Sequence, residues 1–240
     1  MDKLTKHRHI WKNKKILRII YTEWYRKILE DINKDGITVE LGSGSGNFKE
    51  FKPEIISSDI EYSEWLDICF NAHNMPFKSN SISNIIMIDV LHHLSNPVGF
   101  LKDASLSLKK EGKIAIIEPY PSLFSLIIYR LFHPEPFLMN IDYFSKIEEG
   151  DKKDPWEANQ AISYLLFFKH RKKLLTLLEK DFTLIKCERM SSILYPASGG
   201  FEHKSMIPDC LIPLFHFFES LLSPFLLLFA FRCYIVLKKK

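Results

Sequence analysis

Apolar residues along this 240-residue chain fall into short runs that alternate with longer segments of helical period. Runs at 37–41, 55–58, 66–70, 84–89 and 113–118 are β-branched or aliphatic and have the length of buried strands. The clearest helix among them spans about 97–110, carrying Phe100, Leu101, Ala104, Leu106 and Leu108 before an Glu111-Gly112 stop signal. Ahead of the first run, Ile10, Trp11, Leu17, Ile20, Trp24, Tyr25 and Ile28 recur at mostly helical spacing over residues 10–31. Strands alternating with helices in this way predict a parallel sheet covered by helices. After Pro119 a helix near 122–132 leads into His133-Pro134-Glu135-Pro136 and a polar stretch reaching Trp156, which reads as a lid. A helix near 160–180 and strands near 182–188 and 231–237 follow.

The segment Leu211–Leu237 is strongly apolar, with Phe215, Phe217, Phe218, Phe225 and a Leu226-Leu227-Leu228 run. His216, Glu219, Arg232, Pro213 and Pro224 interrupt it, and its longest uncharged stretch, 220–231, falls short of the ~20 residues a membrane span needs. A buried helix followed by a core strand is the main expectation. A helix lying on a membrane surface or lining an apolar substrate pocket is the alternative.

Composition changes little in this picture: 46% hydrophobic, 26% charged and a net charge of +4 suit an ordinary globular chain and do not call for nucleic acid. The base is uneven, with Lys3, Lys6, Arg8, Lys12, Lys14, Lys15 and Arg18 near the start and Lys238–Lys240 at the end. Cys69, Cys187, Cys210 and Cys233 form no CxxC pair, so neither a disulfide framework nor a zinc knuckle is expected. The N-terminal stretch lacks the apolar core of a secretory signal, and a cytoplasmic location is expected, with peripheral contact to the inner membrane face through the apolar C-terminal segment.

The chemistry concentrates at strand ends. In Ile37-Thr38-Val39-Glu40-Leu41-Gly42-Ser43-Gly44-Ser45-Gly46 a buried strand ends in an acid and a turn with glycines at alternate positions. The spacing G-x-G-x-G differs from the G-x-G-x-x-G of dinucleotide sites, no Gly-Lys-Ser/Thr follows, and Glu40 would repel a pyrophosphate. The acid instead suits a ligand with a cationic end. Asp59 closes the second run at the place where a carboxylate grips ribose hydroxyls, with Ile60 after it. Asn71-Ala72 precede Met75-Pro76-Phe77, against which a planar base would rest while Asn71 reaches its edge; Met75 and Phe77 read equally well as core. The fourth run delivers Asp89, Val90, His92 and His93 to the carboxyl edge of the sheet. Two adjacent histidines at a strand end do not chelate one ion comfortably and no third ligand is apparent, so no metal is expected.

These segments, with Gly112-Lys113 leading into Ile116-Ile117-Glu118-Pro119, resemble the class I S-adenosylmethionine-dependent methyltransferases, and among them the type 11 small-molecule group. The resemblance covers 37–119. It implies an α/β, Rossmann-like sheet of seven strands in the order 3-2-1-4-5-7-6, strand 7 antiparallel, sandwiched by helices with an α-helical cap. It implies S-adenosyl-L-methionine as cofactor, with Glu40, Gly42, Ser43, Gly44 and Gly46 at its amino-acid part, Asp59 and Ile60 at the ribose, Asn71 and Ala72 at the adenine, and Asp89 and Val90 beside the methionine moiety. The chain departs from the family in carrying Asn71 where many relatives have Asp, and in a short 47–58 stretch that abbreviates the first helix. The expected organisation is a basic helical segment at 1–34 and a methyltransferase domain at 35–240. Within that domain the cofactor core is 35–120, the acceptor regions are 121–180 and 190–228, and the closing strands are 182–188 and 231–237.

Methyl transfer from a sulfonium is an in-line displacement that depends mainly on alignment. His92, His93 and Glu118 are the candidate acid–base residues, and Asn159, Gln160, Tyr195 and Ser198 the candidate acceptor contacts. The expected activity is O- or N-methylation of a small or lipid- or glycan-linked acceptor. A non-catalytic cofactor-binding scaffold and a nucleic-acid methyltransferase are the competing readings. Asp89-Val90-Leu91-His92 lacks the tetrad associated with base methylation, so no nucleic-acid partner is expected.

Overall fold

The computed structural model describes residues 2–132, 135–145 and 156–240. The first strand-forming run becomes β1, Ile37–Leu41, followed by β2, Ile56–Asp59, β3, Ile68–Cys69, β4, Ile82–Ile88, β5, Leu108–Pro119, β6, Phe182–Met190, and β7, Arg232–Lys239. They form one sheet in the order β3-β2-β1-β4-β5-β7-β6. The five strands from β3 to β5 are parallel, while β7 runs antiparallel to both β5 and β6. The architecture is the one the resemblance implied.

Because successive residues of a strand face opposite ways, the central strands feed two cores. Ile85, Met87, Ile114 and Ile116 join one, with Phe100, Leu101, Ala104, Leu166, Phe167 and Leu174 packed over them. Ile86, Ile88, Ala115 and Ile117 join the other, beneath Leu17, Ile20, Trp24, Tyr25 and Ile28. The helices that cover the second core are α1, Lys3–Asn13, capped by Asp2 accepting from the Thr5 N–H at 2.8 Å, and α2, Lys15–Asp31. The N-terminal helices are therefore part of the same body as the sheet, and of their basic residues Lys6, Lys12, Lys15 and Arg26 are exposed on the outer face.

The first crossover helix, α3, Asn47–Phe51, is as short as the sequence requires. The next, α4, Pro97–Ser107, has Asn96 accepting from the Gly99 N–H and Pro97 in its first turn. It ends three residues before the expected 110, because Leu108 already pairs with Ile82 in the sheet; the chain then bulges through Glu111 (φ 63°) and resumes at Lys113 opposite Asn84. The Glu111-Gly112 signal marks that bulge and not a helix end. Beyond β5 come α5, Leu123–Phe132, α6, Ile162–Tyr164, which runs into a π turn at Leu165–Lys169, α7, Arg171–Leu177, and α8, Leu194–Ser198. The helix expected at 160–180 is thus three pieces. His133, Pro134 and residues 146–155 of the expected lid lie outside the described residues.

The apolar C-terminal segment departs most from expectation. Its strand part is β7, fully in the core, but its helices, α9, Ile212–Leu221, and α10, Leu226–Phe229, bury only Ile212. Leu214, Phe217, Phe218, Leu221, Phe225, Leu227 and Leu228 are exposed. Ile212 joins the core beneath α2, together with Leu194 of α8, and the rest of α9 and α10 stays outside it.

Candidate functional site

All the parallel strands end on one side, and there a single cavity of about 820 Å³ opens. One half is built by the turn after β1. Gly42 (φ 64°) lies so close to Val90 that an added Cβ would stand 2.3 Å from its Cγ2. Gly44, also left-handed, donates its N–H to Asp59 Oδ2 at 2.9 Å and accepts from Trp65 Nε1 at 2.9 Å. The Arg8 guanidinium from α1 donates to the Ser45 carbonyl and lies over the Trp65 ring, strapping the turn from outside. Leu4, Lys3 and His7 of α1 border the cavity here.

Glu40 is buried at the start of this turn, and its Oε2 has no hydrogen-bond partner among the described residues. Burial, only partly offset by the Ser43 hydroxyl and aggravated by the Asp59 charge, pushes its carboxyl up to about 7. A buried carboxylate with an idle oxygen at a cavity wall fits a cationic group on a ligand. Asp59 is raised by burial against the N–H groups of Glu61 and Gly44, which its two oxygens accept. Asn71 spends its carbonyl oxygen on the His73 N–H at 2.9 Å, so its amide donor is what it can present to a ligand. Ile60, Ala72, Asp89 and Val90 also line the cavity, whereas Gly46, packed under Trp65, does not.

The other half is built by the turn after β4 and the residues that pair with it. Glu118, at the end of β5, is wholly buried. It accepts from the N–H groups of Val90 (2.8 Å) and Leu91 (2.7 Å) and from His92 Nδ1 (2.6 Å), which pins the turn after β4. It stands behind His92 and does not border the cavity. His92 Nε2 lies 3.5 Å from Glu135 Oε2. Burial opposes charge on His92, but the two carboxylates outweigh it and raise the imidazole to about 10. The same cation holds Glu118 low and, against burial, Glu135 at about 2, while burial and the His92 charge depress His93 to about 4. Adjacent histidines on a strand would point apart. Here they sit in a 3-10 turn, Leu91–His93, with ring centroids 4.2 Å apart, and Glu135 arrives from the chain beyond α5 as a third donor beside them. The premise that no third ligand is available is therefore corrected.

Asp89 (φ 58°) is neutralised by Arg232 from the start of β7, whose guanidinium also donates to the Tyr195 hydroxyl. Burial raises the Asp89 carboxyl and Arg232 opposes the rise. Of the four candidate acceptor contacts, Gln160 and Tyr195 line the cavity. Asn159 does not: it is consumed in clamping Leu138, Ala161 and the Tyr143 hydroxyl. Ser198 closes the turn between Tyr195 and Gly200. Sequence reasoning missed Glu135, Tyr21 and Arg232 as cavity residues. For Arg232 a signal existed, since a lone arginine opening an apolar strand must be paired if it is buried.

Residues 39–116 match the family model described as a methyltransferase domain. No curated protein sequence matches the chain. Among solved structures, a SAM-dependent methyltransferase from Archaeoglobus fulgidus is 17% identical over 93% of this chain and 94% of that one, with a TM-score of 0.53. A protein from Listeria monocytogenes described as a putative S-adenosylmethionine-dependent methyltransferase is 11% identical over 91% and 97%, TM-score 0.49. At 17% identity the likeness to the Archaeoglobus fulgidus protein is one of fold.

Proposed function

We propose that this chain, whose residues 39–116 match the methyltransferase-domain family model, is a class I S-adenosylmethionine-dependent methyltransferase that methylates an oxygen or nitrogen of an amphipathic or lipid-linked acceptor. The observation that carries the reading is that one cavity joins the turn of Glu40, Gly42 and Gly44 to a second, chemically different half formed by His92, Glu135, Tyr195 and Arg232. When bound, S-adenosylmethionine supplies a methyl group already activated on a sulfonium. Glu40 would hold its ammonium, with Gly42, Ser43 and Gly44 beside it, Gly46 shaping the turn, Asp59 and Ile60 at the ribose, Asn71 and Ala72 at the adenine, and Asp89 and Val90 at the methionine chain. The protein's own work is to align the acceptor and exclude water, and alignment contributes roughly 7–11 kcal/mol in favourable cases. His92 and His93 would face the reacting group, with Glu118 as the positioning residue that fixes the His92 ring, and Gln160 and Tyr195 would orient the acceptor.

The acceptor class is supported by α5. Ile128, Tyr129 and Phe132 border the cavity, while Leu123, Phe124, Ile127 and Leu131 of the same helix are exposed. Phe124 stacks on Phe229 of α10 at 4.4 Å, so the apolar surface of α9 and α10 continues to the cavity wall. Apart from Arg130, the exposed positions of α5 are apolar, and a helix face of that kind belongs in a protein core or against lipid. No single helix among the described residues is long and apolar enough to cross a membrane, while the pair Asp209–Leu221 and Ser223–Phe229, which contains α9 and α10 and is bent by 56°, meets that test together by length and composition only; its exposed apolar side chains suit contact with lipid. Residues 35–120 would then carry the cofactor, 121–180 and 190–228 the acceptor, and 1–34 the outer strap of the glycine turn.

Isothermal titration with S-adenosylmethionine tests the cofactor assignment. One-to-one binding is expected, weakened at least ~10-fold in Asp59→Ala, since one lost charged hydrogen bond is worth about 1.5–3 kcal/mol. A folded chain that shows no heat at millimolar cofactor overturns it.

A further inference from the structure

The charged half of the cavity holds more than an acid–base pair. One ring nitrogen of His92, one of His93 and a carboxylate oxygen of Glu135 lie within 4.8 Å of one another. We propose that these three side chains form a binding site for one divalent first-row transition-metal ion, zinc or a close analogue, at the acceptor end of the cavity.

The donor set is two imidazoles and one carboxylate, which is the three-ligand pattern of open zinc sites and of the facial triads of other transition metals. Magnesium and calcium, which take oxygen ligands, do not fit it. Bonds of ~2.0–2.1 Å in tetrahedral array place ligand atoms roughly 3.3 Å apart. The 3.5 Å between His92 Nε2 and Glu135 Oε2 is already close to that, and too long for a good hydrogen bond.

The surroundings are those of ligating histidines. Such residues hand the proton on their other ring nitrogen to a carboxylate or a backbone carbonyl, which fixes the tautomer and strengthens the donor. His92 Nδ1 meets the Glu118 carboxylate at 2.6 Å, and His93 Nδ1 meets the Glu157 carbonyl at 3.3 Å. Gln160 Nε2 steadies Glu135 at 3.1 Å. Glu118, held by two backbone N–H groups, cannot swing away. The three ligands line the cavity, the side from which an acceptor atom would approach an ion held there. An ion there would lower the pKa of an acceptor hydroxyl; that use, unlike the site itself, rests on the methyl-transfer reading.

The test is a titration of the chelator-treated full-length chain with Co²⁺, read by its visible d–d absorption and by bound-metal analysis. One ion per chain is expected, displaced by Zn²⁺ and not by Mg²⁺. Affinity should fall at least 100-fold in Glu135→Gln and in His93→Ala, both at half-buried positions, and ~10–100-fold in Glu118→Gln. S-adenosylmethionine affinity, measured on the same samples, keeps the two readings apart: cofactor binding without cobalt binding overturns the metal site alone, and the converse overturns the cofactor assignment alone. No cobalt spectrum, or one that the Glu135 and His93 variants leave unchanged, overturns the site.

Discussion

On the proposed reading, Glu40 is the residue on which cofactor chemistry and pH meet. Its carboxyl, held up at about 7 by burial, is protonated in part of the ligand-free population at neutral pH. The raised pKa means the folded chain binds a proton that the unfolded chain has released, so this group costs stability progressively between its ordinary carboxylate pKa and pH 7. A cationic ligand reverses the balance by favouring the ionised form. Binding of S-adenosylmethionine is therefore expected to release a proton below pH 7, and affinity should fall ~10-fold per pH unit there. Calorimetry in buffers of different ionisation enthalpy measures the proton; Glu40→Gln should abolish both the release and the pH slope. Glu40, Asp59 and the glycines were legible because each sits at a strand end within one short stretch. Arg232 and Glu135 were not, since they meet Asp89 and His92 across sequence separations of 143 and 43 residues that no local pattern encodes.

At the scale of elements, the turn after β4 depends on β5. Glu118 supplies the acceptor for two N–H groups and a ring N–H that would otherwise be buried unpaired. Glu118→Ala is expected to destabilise the protein by about 3–5 kcal/mol, the cost of breaking a buried charged pair, with a matching loss in chemical-denaturation midpoint. A loss below about 1 kcal/mol would show that water replaces the carboxylate. The strands were read within a few residues because buried parallel strands are nearly continuous in apolar residues. The helix of 97–110 was read too long for a tertiary reason: Leu108 has the apolar character of either element, and pairing with Ile82 decides.

Across the whole molecule, the feature that composition misjudged is the outer face of α9, α10 and α5. Flotation with anionic phospholipid vesicles is expected to carry the chain, and a Phe217→Asp, Phe218→Asp double variant to remain behind. These side chains are exposed and touch no core, so the variant should keep the wild-type melting temperature. Equal flotation of both, or of neither, removes the lipid-facing reading of the acceptor.

Period, run length and glycine spacing are local properties. From them the sequence alone determined the alternating α/β order, the cofactor-type turn and the acids at strands 1 and 2. Which helices reach the core depends on which apolar faces meet across long stretches of sequence; only the packed molecule decided that α9 and α10 bury no more than Ile212. The charged half of the cavity is likewise a tertiary product. A carboxylate, two imidazoles and a guanidinium from three separate segments become one site because the chain beyond α5 brings Glu135 to the edge where the turn after β4 and the start of β7 already meet, and burial there makes their charges answer to one another.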